Sequence, residues 1–151
     1  MGKYRATIEW RATGDFAANR YSRAHRWMFD GGADVPASSS PQVVPVPFSD
    51  PAGVDPEEAL IASVSSCHML WFLHLARDAG YQVEHYRDEA VGVMGKDDQG
   101  RMAMIRITLM PEIAFAGTAP PADELGHLHH QAHEECFIAN SLRTEIVVGN
   151  L

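Results

Sequence analysis

The chain has 151 residues, 46% apolar and 21% charged, which suits one domain with a sizeable core. Its net charge of −8 and pI near 5.4 argue against a nucleic-acid partner, which would favour a basic surface. No polybasic stretch suggests attachment to a membrane.

The segment Met1 to Glu9 lacks the apolar run of a secretory signal, and no stretch is read as reaching the ~20 apolar residues of a membrane span. A cytoplasmic location is therefore expected. That compartment keeps thiols reduced, so Cys67 and Cys136 are not expected to form a structural staple. Burial as small hydrophobes is the plainer alternative.

In chain order, Tyr4 to Trp10 alternates apolar and polar residues and predicts a strand. Asn19 to Phe29 predicts a second, with Tyr21, Arg23, His25, Trp27 and Phe29 on one face and Gly31-Gly32 closing it. Ala37 to Val54, rich in Ser, Pro and Val, predicts an extended loop that could cross between subunits. Asp55 reads as a helix N-cap, followed by Pro56 in the first helical position and Glu57 and Glu58 in the first turn. The helix should run to about Asp78 and stop at Gly80. Its middle, Ala59 to Ala76, is apolar almost all round, which predicts burial on most sides.

Tyr81 to Met94 and Met102 to Phe115 predict two strands of a hairpin around the turn at 96–100. Thr118 to Pro121 is a linker. Asp123 to about Ser141 predicts a second helix, and Thr144 to Val148 a closing strand. The order is an α+β pattern within a single domain, residues 1–151.

Cys67 falls mid-helix in Ser65-Ser66-Cys67-His68-Met69, and Cys136 follows His133-Glu134-Glu135. The reactive form of a thiol is the thiolate, and a free thiol titrates near ~8.5. Burial alone would make Cys67 inert, so a working Cys67 needs a cation nearby. The helix N-terminus is too far: at 1.5 Å per residue it lies roughly 16 Å away, and its field fades within one turn. Arg23 is the first candidate, since an arginine on an aromatic face is costly unless paired; Arg20 and Arg26 fall on the other face and read as solvated. Glu57 is the carboxylate chosen to hold that arginine. Along a straight helix Glu57 lies roughly 15 Å from Cys67. If both serve one site, either the helix breaks between them or Glu57 comes from a partner chain. The Ser65-Ser66 pair lies too late for the first option, so a homodimer with interfacial sites is expected.

Asp55-Pro56-Glu57-Glu58, then Ser65-Ser66-Cys67-His68-Met69, then His133-Glu134-Glu135-Cys136 with Asn140-Ser141, resembles the OsmC/Ohr family of osmotically induced proteins and organic hydroperoxide reductases. The likeness covers most of the chain, including Tyr21-Ser22-Arg23. It implies an OsmC-like fold, with antiparallel sheets wrapped around two long central helices in an intertwined homodimer. It also implies a thiol-dependent peroxidase without a cofactor. Cys67 would be the peroxidatic residue, attacking an organic hydroperoxide to give an alcohol and a sulfenic acid. Cys136 would resolve that acid as a Cys67–Cys136 disulfide, Glu57 would orient an arginine, and a dithiol (lipoyl-protein type in the best-known branch) would restore both thiols. The family's branches take the arginine from different N-terminal positions. The Ser-rich loop before Asp55 has none, which leaves Arg23 and then Arg20.

The neighbours Leu60, Val64, Met69, Leu70, Trp71 and Phe137 would suit a bulky organic peroxide, although core packing alone explains each. Two other readings compete. His129, His133 and Cys136 recur at i, i+4 and i+7, a credible zinc-ligand spacing with His127 and His130 nearby, although no CxxC or HExxH is present. Alternatively, the chain is a non-catalytic binder of a small apolar ligand with incidental cysteines. No GxSxG elbow supports a hydrolase.

Overall fold

The computed structural model describes residues 1–149 and divides the chain into two compact units, Met1–Ala59 and the remainder from Leu60. In the first unit, strands β1 (Ala6–Glu9), β4 (His25–Phe29) and β5 (Asp34–Ala37) form an antiparallel sheet in the order β1-β4-β5. Strands β2 (Gly14–Asp15) and β3 (Arg20–Tyr21) make a short separate ribbon.

The strand expected over 19–29 is thus two strands. The chain leaves the ladder at 22–24, where the Arg23 amide donates to the Phe48 carbonyl instead of a strand neighbour. Strand β5 was not foreseen, because Pro36 and the Gly-rich turn before it conceal a short edge strand. The Ser- and Pro-rich loop closes on its own chain. Its ends meet where Ser38 N donates to Val54 O and Val54 N donates to Pro36 O, each at 3.0 Å.

Helix α1 (Pro56–Asp78) begins in the first unit and runs on through the second. Its start is a reciprocal capping box. Glu58 N donates to Asp55 Oδ1 at 2.7 Å, and Asp55 N donates to Glu58 Oε2 at 3.2 Å. Its end is equally defined. Gly80 adopts φ +89°, Gly80 N donates to Arg77 O, and Tyr81 N reaches back to Ala76 O.

In the second unit β6 (Gln82–Asp88) pairs antiparallel with β9 (Pro111–Ala116), and β7 (Val91–Lys96) with β8 (Met102–Leu109). The expected two-stranded hairpin exists, but it is broken at 89–90 and at Met110 into two sheets. Asp88 fixes the bend: its Oδ1 accepts from Met110 N at 2.7 Å, and its Oδ2 accepts from Ser65 Oγ of α1. The closing strand β10 (Glu145–Val148) joins β8 in parallel, the one departure from antiparallel pairing among the named strands.

Helix α2 covers Ala122–Glu135, shorter than expected. Cys136 is its extended C-cap, and a single 3-10 turn follows at Ala139–Ser141. The α+β architecture therefore holds, with two helices and mostly antiparallel sheets.

The first half of α1 packs Val64 against Ile107 and Leu109 of β8. Gly92 makes this approach possible, since a Cβ there would lie 2.6 Å from Ile61 and 2.5 Å from Met104 Sδ. The second half packs Phe72 and Ala76 against Leu128 and Ala132 of α2, flanked by Tyr86 and Ile113.

Only Val64, His68, Phe72 and Ala76, an i, i+4 row, are fully buried on α1, so burial on most sides is not found within one chain. Leu70 is 61% exposed. By length and composition α1 is also apolar enough to cross a membrane, contrary to the sequence reading, yet its buried row is protein core.

Asp55→Ala removes the side-chain acceptor for the Glu58 amide and is expected to destabilise the fold by about 1 kcal/mol in urea titration. Asp55→Asn should retain most of that stability, and equal loss in both variants would show that the cap is not the cause.

Candidate active site

Two antiparallel helices bring the cysteines together. Phe72 of α1 stacks on His129 of α2, with ring centroids 4.4 Å apart. One turn back along α1, His68 Nε2 shares a 2.9 Å hydrogen bond with His129 Nδ1. Beyond that level the Cys67 thiol lies against Cys136. Each step back along α1 corresponds to a step forward along α2.

Both cysteines are free thiols. Cys136 is buried, and its position just past the last helical residue leaves the Ala139 amide free to donate to its Sγ at 3.4 Å. Burial pushes the Cys136 thiol up to about 11; the Cys67 thiol adds to the rise, and the Ala139 amide opposes it. Cys67 is half-buried and opens onto a cavity of about 300 Å³ lined by Leu70, Trp71, His74 and Phe137. Trp71 meets Phe137 edge to face at 5.6 Å, and Phe137 is 66% exposed, so the walls are apolar and reachable. Of the six neighbours considered from sequence, Leu70, Trp71 and Phe137 line this cavity, whereas Val64 and Leu60 belong to the core.

Arg23 and Glu57 belong to the first unit, and the structure does not pair them. The Arg23 guanidinium donates to Tyr21 O and Asn19 Oδ1, each at 2.6 Å, and lies 3.7 Å over the Tyr21 ring. Asn19 reaches it from a left-handed backbone, φ 58°. Among the described residues Arg23 has no carboxylate partner, and Glu57 Oε2 is buried without a hydrogen-bond partner. Helix α1 does not break between Glu57 and Cys67. Arg20 is exposed. His25 is fully engaged, donating from Nδ1 to Arg23 O and accepting from Trp27 Nε1.

The zinc reading fails on geometry. Cys136 lies outside the helix that was to align it with His129 and His133, and His129 bonds to His68. Among the described residues no group of three or more His, Cys, Asp or Glu side chains is placed to hold a metal.

Sequence reasoning missed the His68–His129 bond. Its one signal was that His68 shares the i, i+4 row of Val64 and Phe72. Burial pulls both imidazoles down to about 4, and on His68 the neighbouring His129 and His133 act in the same direction.

Residues 49–149 match the family model described as OsmC-like protein. A solved OsmC-like protein of unknown function from Vibrio cholerae is 49% identical over 98% of each chain, with TM-score 0.95. An organic hydroperoxide resistance protein from Elizabethkingia anophelis is 19% identical, covers 98% of this chain and 93% of its own, and has TM-score 0.69. Another from Legionella pneumophila is 17% identical, with 98% and 96% covered and TM-score 0.67. No curated protein matches significantly.

The histidine pair makes stability pH-dependent. An unfolded chain takes up protons on these histidines as pH falls below 6.5, whereas the native chain does so only near 4. Between those values the unfolded state binds more protons, so stability present above 6.5 is lost as pH falls. Going from pH 7 to pH 5 is expected to cost about 2 kcal/mol per histidine. The urea midpoint measures this. The double variant His68→Leu, His129→Leu should show a flatter profile, and an undiminished slope would sink the assignment.

Proposed function

Since the chain belongs to the OsmC-like family, we propose that it is a thiol-dependent peroxidase that reduces organic hydroperoxides with Cys67 and Cys136. The observation that carries this reading is the placement of the two sulfurs. One thiol opens onto an apolar cavity, and a second, buried thiol lies against it. Two structures of the same fold bear the name organic hydroperoxide resistance protein, which agrees with it.

The Cys67 thiolate attacks the distal peroxide oxygen, the O–O bond breaks, and the organic oxygen leaves as an alcohol after taking a proton. Cys67 becomes a sulfenic acid. The second sulfur then displaces the hydroxyl before a second peroxide can over-oxidise Cys67. The resulting disulfide needs an external dithiol to return to the starting state. The apolar walls at Leu70, Trp71 and Phe137 favour an organic substituent over hydrogen peroxide.

The proposal includes a homodimer. It would cover the exposed apolar faces of α1 and supply the activating cation, with Arg23 and Glu57 from one copy serving Cys67 of the other. Glu57 Oε2, buried and unpartnered in one chain, is the atom this arrangement would satisfy. Such an Arg23 would have to leave Asn19 or share a remaining donor.

Thiol titration of reduced protein before and after one equivalent of cumene hydroperoxide tests the reading. Both thiols should disappear as an intramolecular disulfide. Cys67→Ser should not react, and Cys136→Ser should stall at the sulfenic acid or over-oxidise. Unchanged thiols in the wild-type protein would leave only a binding function.

A further inference from the structure

The first unit holds a cavity of its own, about 400 Å³ in volume, within the range of small-molecule sites. Its apolar wall is aromatic. Trp10, Phe16 and Tyr21 line it and touch one another, with ring centroids 5.9 Å apart for Trp10 and Phe16, 5.6 Å for Trp10 and Tyr21, and 4.8 Å for Phe16 and Tyr21. These rings are not core, since Phe16 is 61% exposed and Trp10 38%. They are nonetheless held in place: Trp10 Nε1 donates to Ser22 O at 2.9 Å, and Tyr21 pairs with Gly14 in the β2–β3 ribbon. An ordered, open aromatic surface of this kind is unfavourable in water and marks a place where something binds.

A cation lines the same cavity. Arg23 is half-buried, and its guanidinium lies 3.7 Å over the Tyr21 ring. Two of its five N–H groups donate to Tyr21 O and Asn19 Oδ1, which leaves three. Neither acceptor carries a charge, so the guanidinium is uncompensated where it lies. His25, also in the lining, has both ring nitrogens engaged.

These two features select a ligand. The planar fork of an arginine matches a carboxylate, and its bonds to one are charge-assisted. A doubly charged phosphate would leave one charge uncompensated against aromatic walls, where an unpaired charge is costly. Contact with three rings favours an aromatic ring over a saturated ring of the same size, because edge and offset-stacked geometries add to the burial of area.

We propose that this cavity binds a small aromatic carboxylate, with the ring against Trp10 and Phe16 and the carboxylate accepting from the remaining N–H groups of Arg23. The site needs neither thiol, so it stands apart from the peroxidase reading above.

Titration of the full chain with benzoate tests it, followed by the indole N–H resonance of Trp10 in proton–nitrogen NMR spectra and assigned with Trp10→Phe. Benzoate should move that resonance saturably, with a dissociation constant of about 1 mM, the scale expected for so few atoms. Cyclohexanecarboxylate has the charge without the aromatic ring and should bind about fivefold more weakly. Benzamide has the ring without the charge and should bind about tenfold more weakly. Phe16→Leu should bring benzoate down to the level of cyclohexanecarboxylate, and Arg23→Gln should bring it down to that of benzamide. Arg23 also ties the ribbon through Tyr21 and Asn19, so Phe16→Leu, at an exposed position, carries the test where Arg23→Gln disturbs the fold. No saturable shift, equal affinity for the three compounds, or selectivity that survives Phe16→Leu overturns the inference. A Trp10 resonance that moves on dilution of the protein and not with benzoate also overturns it, because that result marks a face covered by a second copy. A chain that binds benzoate while its thiols ignore cumene hydroperoxide loses the peroxidase reading and keeps this one.

Discussion

One buried hydrogen bond sets the register on which the candidate site depends. Apolar packing of Phe72 and Ala76 on Leu128 and Ala132 favours burial of both helices, but it is non-directional and tolerates sliding. The bond between His68 and His129 does not. A slip of α2 by one turn would leave two imidazoles unpaired in an apolar setting, at the desolvation cost of each. The same register brings Cys136 to Cys67. Directional polar contact and thiol contact are thus coupled through two rigid helices, and the first can be paid for only while the second is in place.

Asp88 performs the corresponding task for the sheets of the second unit. A strand that ran straight from Gln82 to Lys96 could cover only one half of α1. The bend after Asp88 lets β6 and β9 cover the half around Phe72 while β7, β8 and β10 cover the half around Val64. The carboxylate satisfies the amide that the bend frees on Met110 and takes the Ser65 hydroxyl as well. Ser65 stands two residues before Cys67, so the bond that holds the bend also anchors the helix beside that thiol.

The ends of α1 were legible because each rests on local chemistry: a carboxylate cap with a reciprocal glutamate at one end, a left-handed glycine at the other. The α+β order and the mid-helix position of Cys67 followed from periodicity, whereas Cys136, expected inside α2, caps its end. What escaped was set by partners distant in sequence. The bend at 89–90 depends on Asp88 meeting Met110 and Ser65, and no single stretch announces that. The break at 22–24 depends on Phe48, which draws the Arg23 amide out of the ladder. Arg23 was expected to seek a carboxylate, yet a left-handed Asn19 and the Tyr21 ring and carbonyl hold it instead, because the short ribbon turns them toward it.

The end of α2 carries the most consequence for chemistry. Had the helix continued to Ser141, the Ala139 amide would have been engaged with the Glu135 carbonyl, as the ladder requires. The sulfur of Cys136 would then have been buried with no donor to receive a charge. By stopping at Glu135 and turning extended at Cys136, the chain releases that amide to the sulfur and resumes as a 3-10 turn at Ala139. The same break undoes the three-point ligand spacing that made a zinc site plausible from sequence. One local change in backbone geometry therefore removes a metal-binding arrangement and leaves one suited to a transient thiolate.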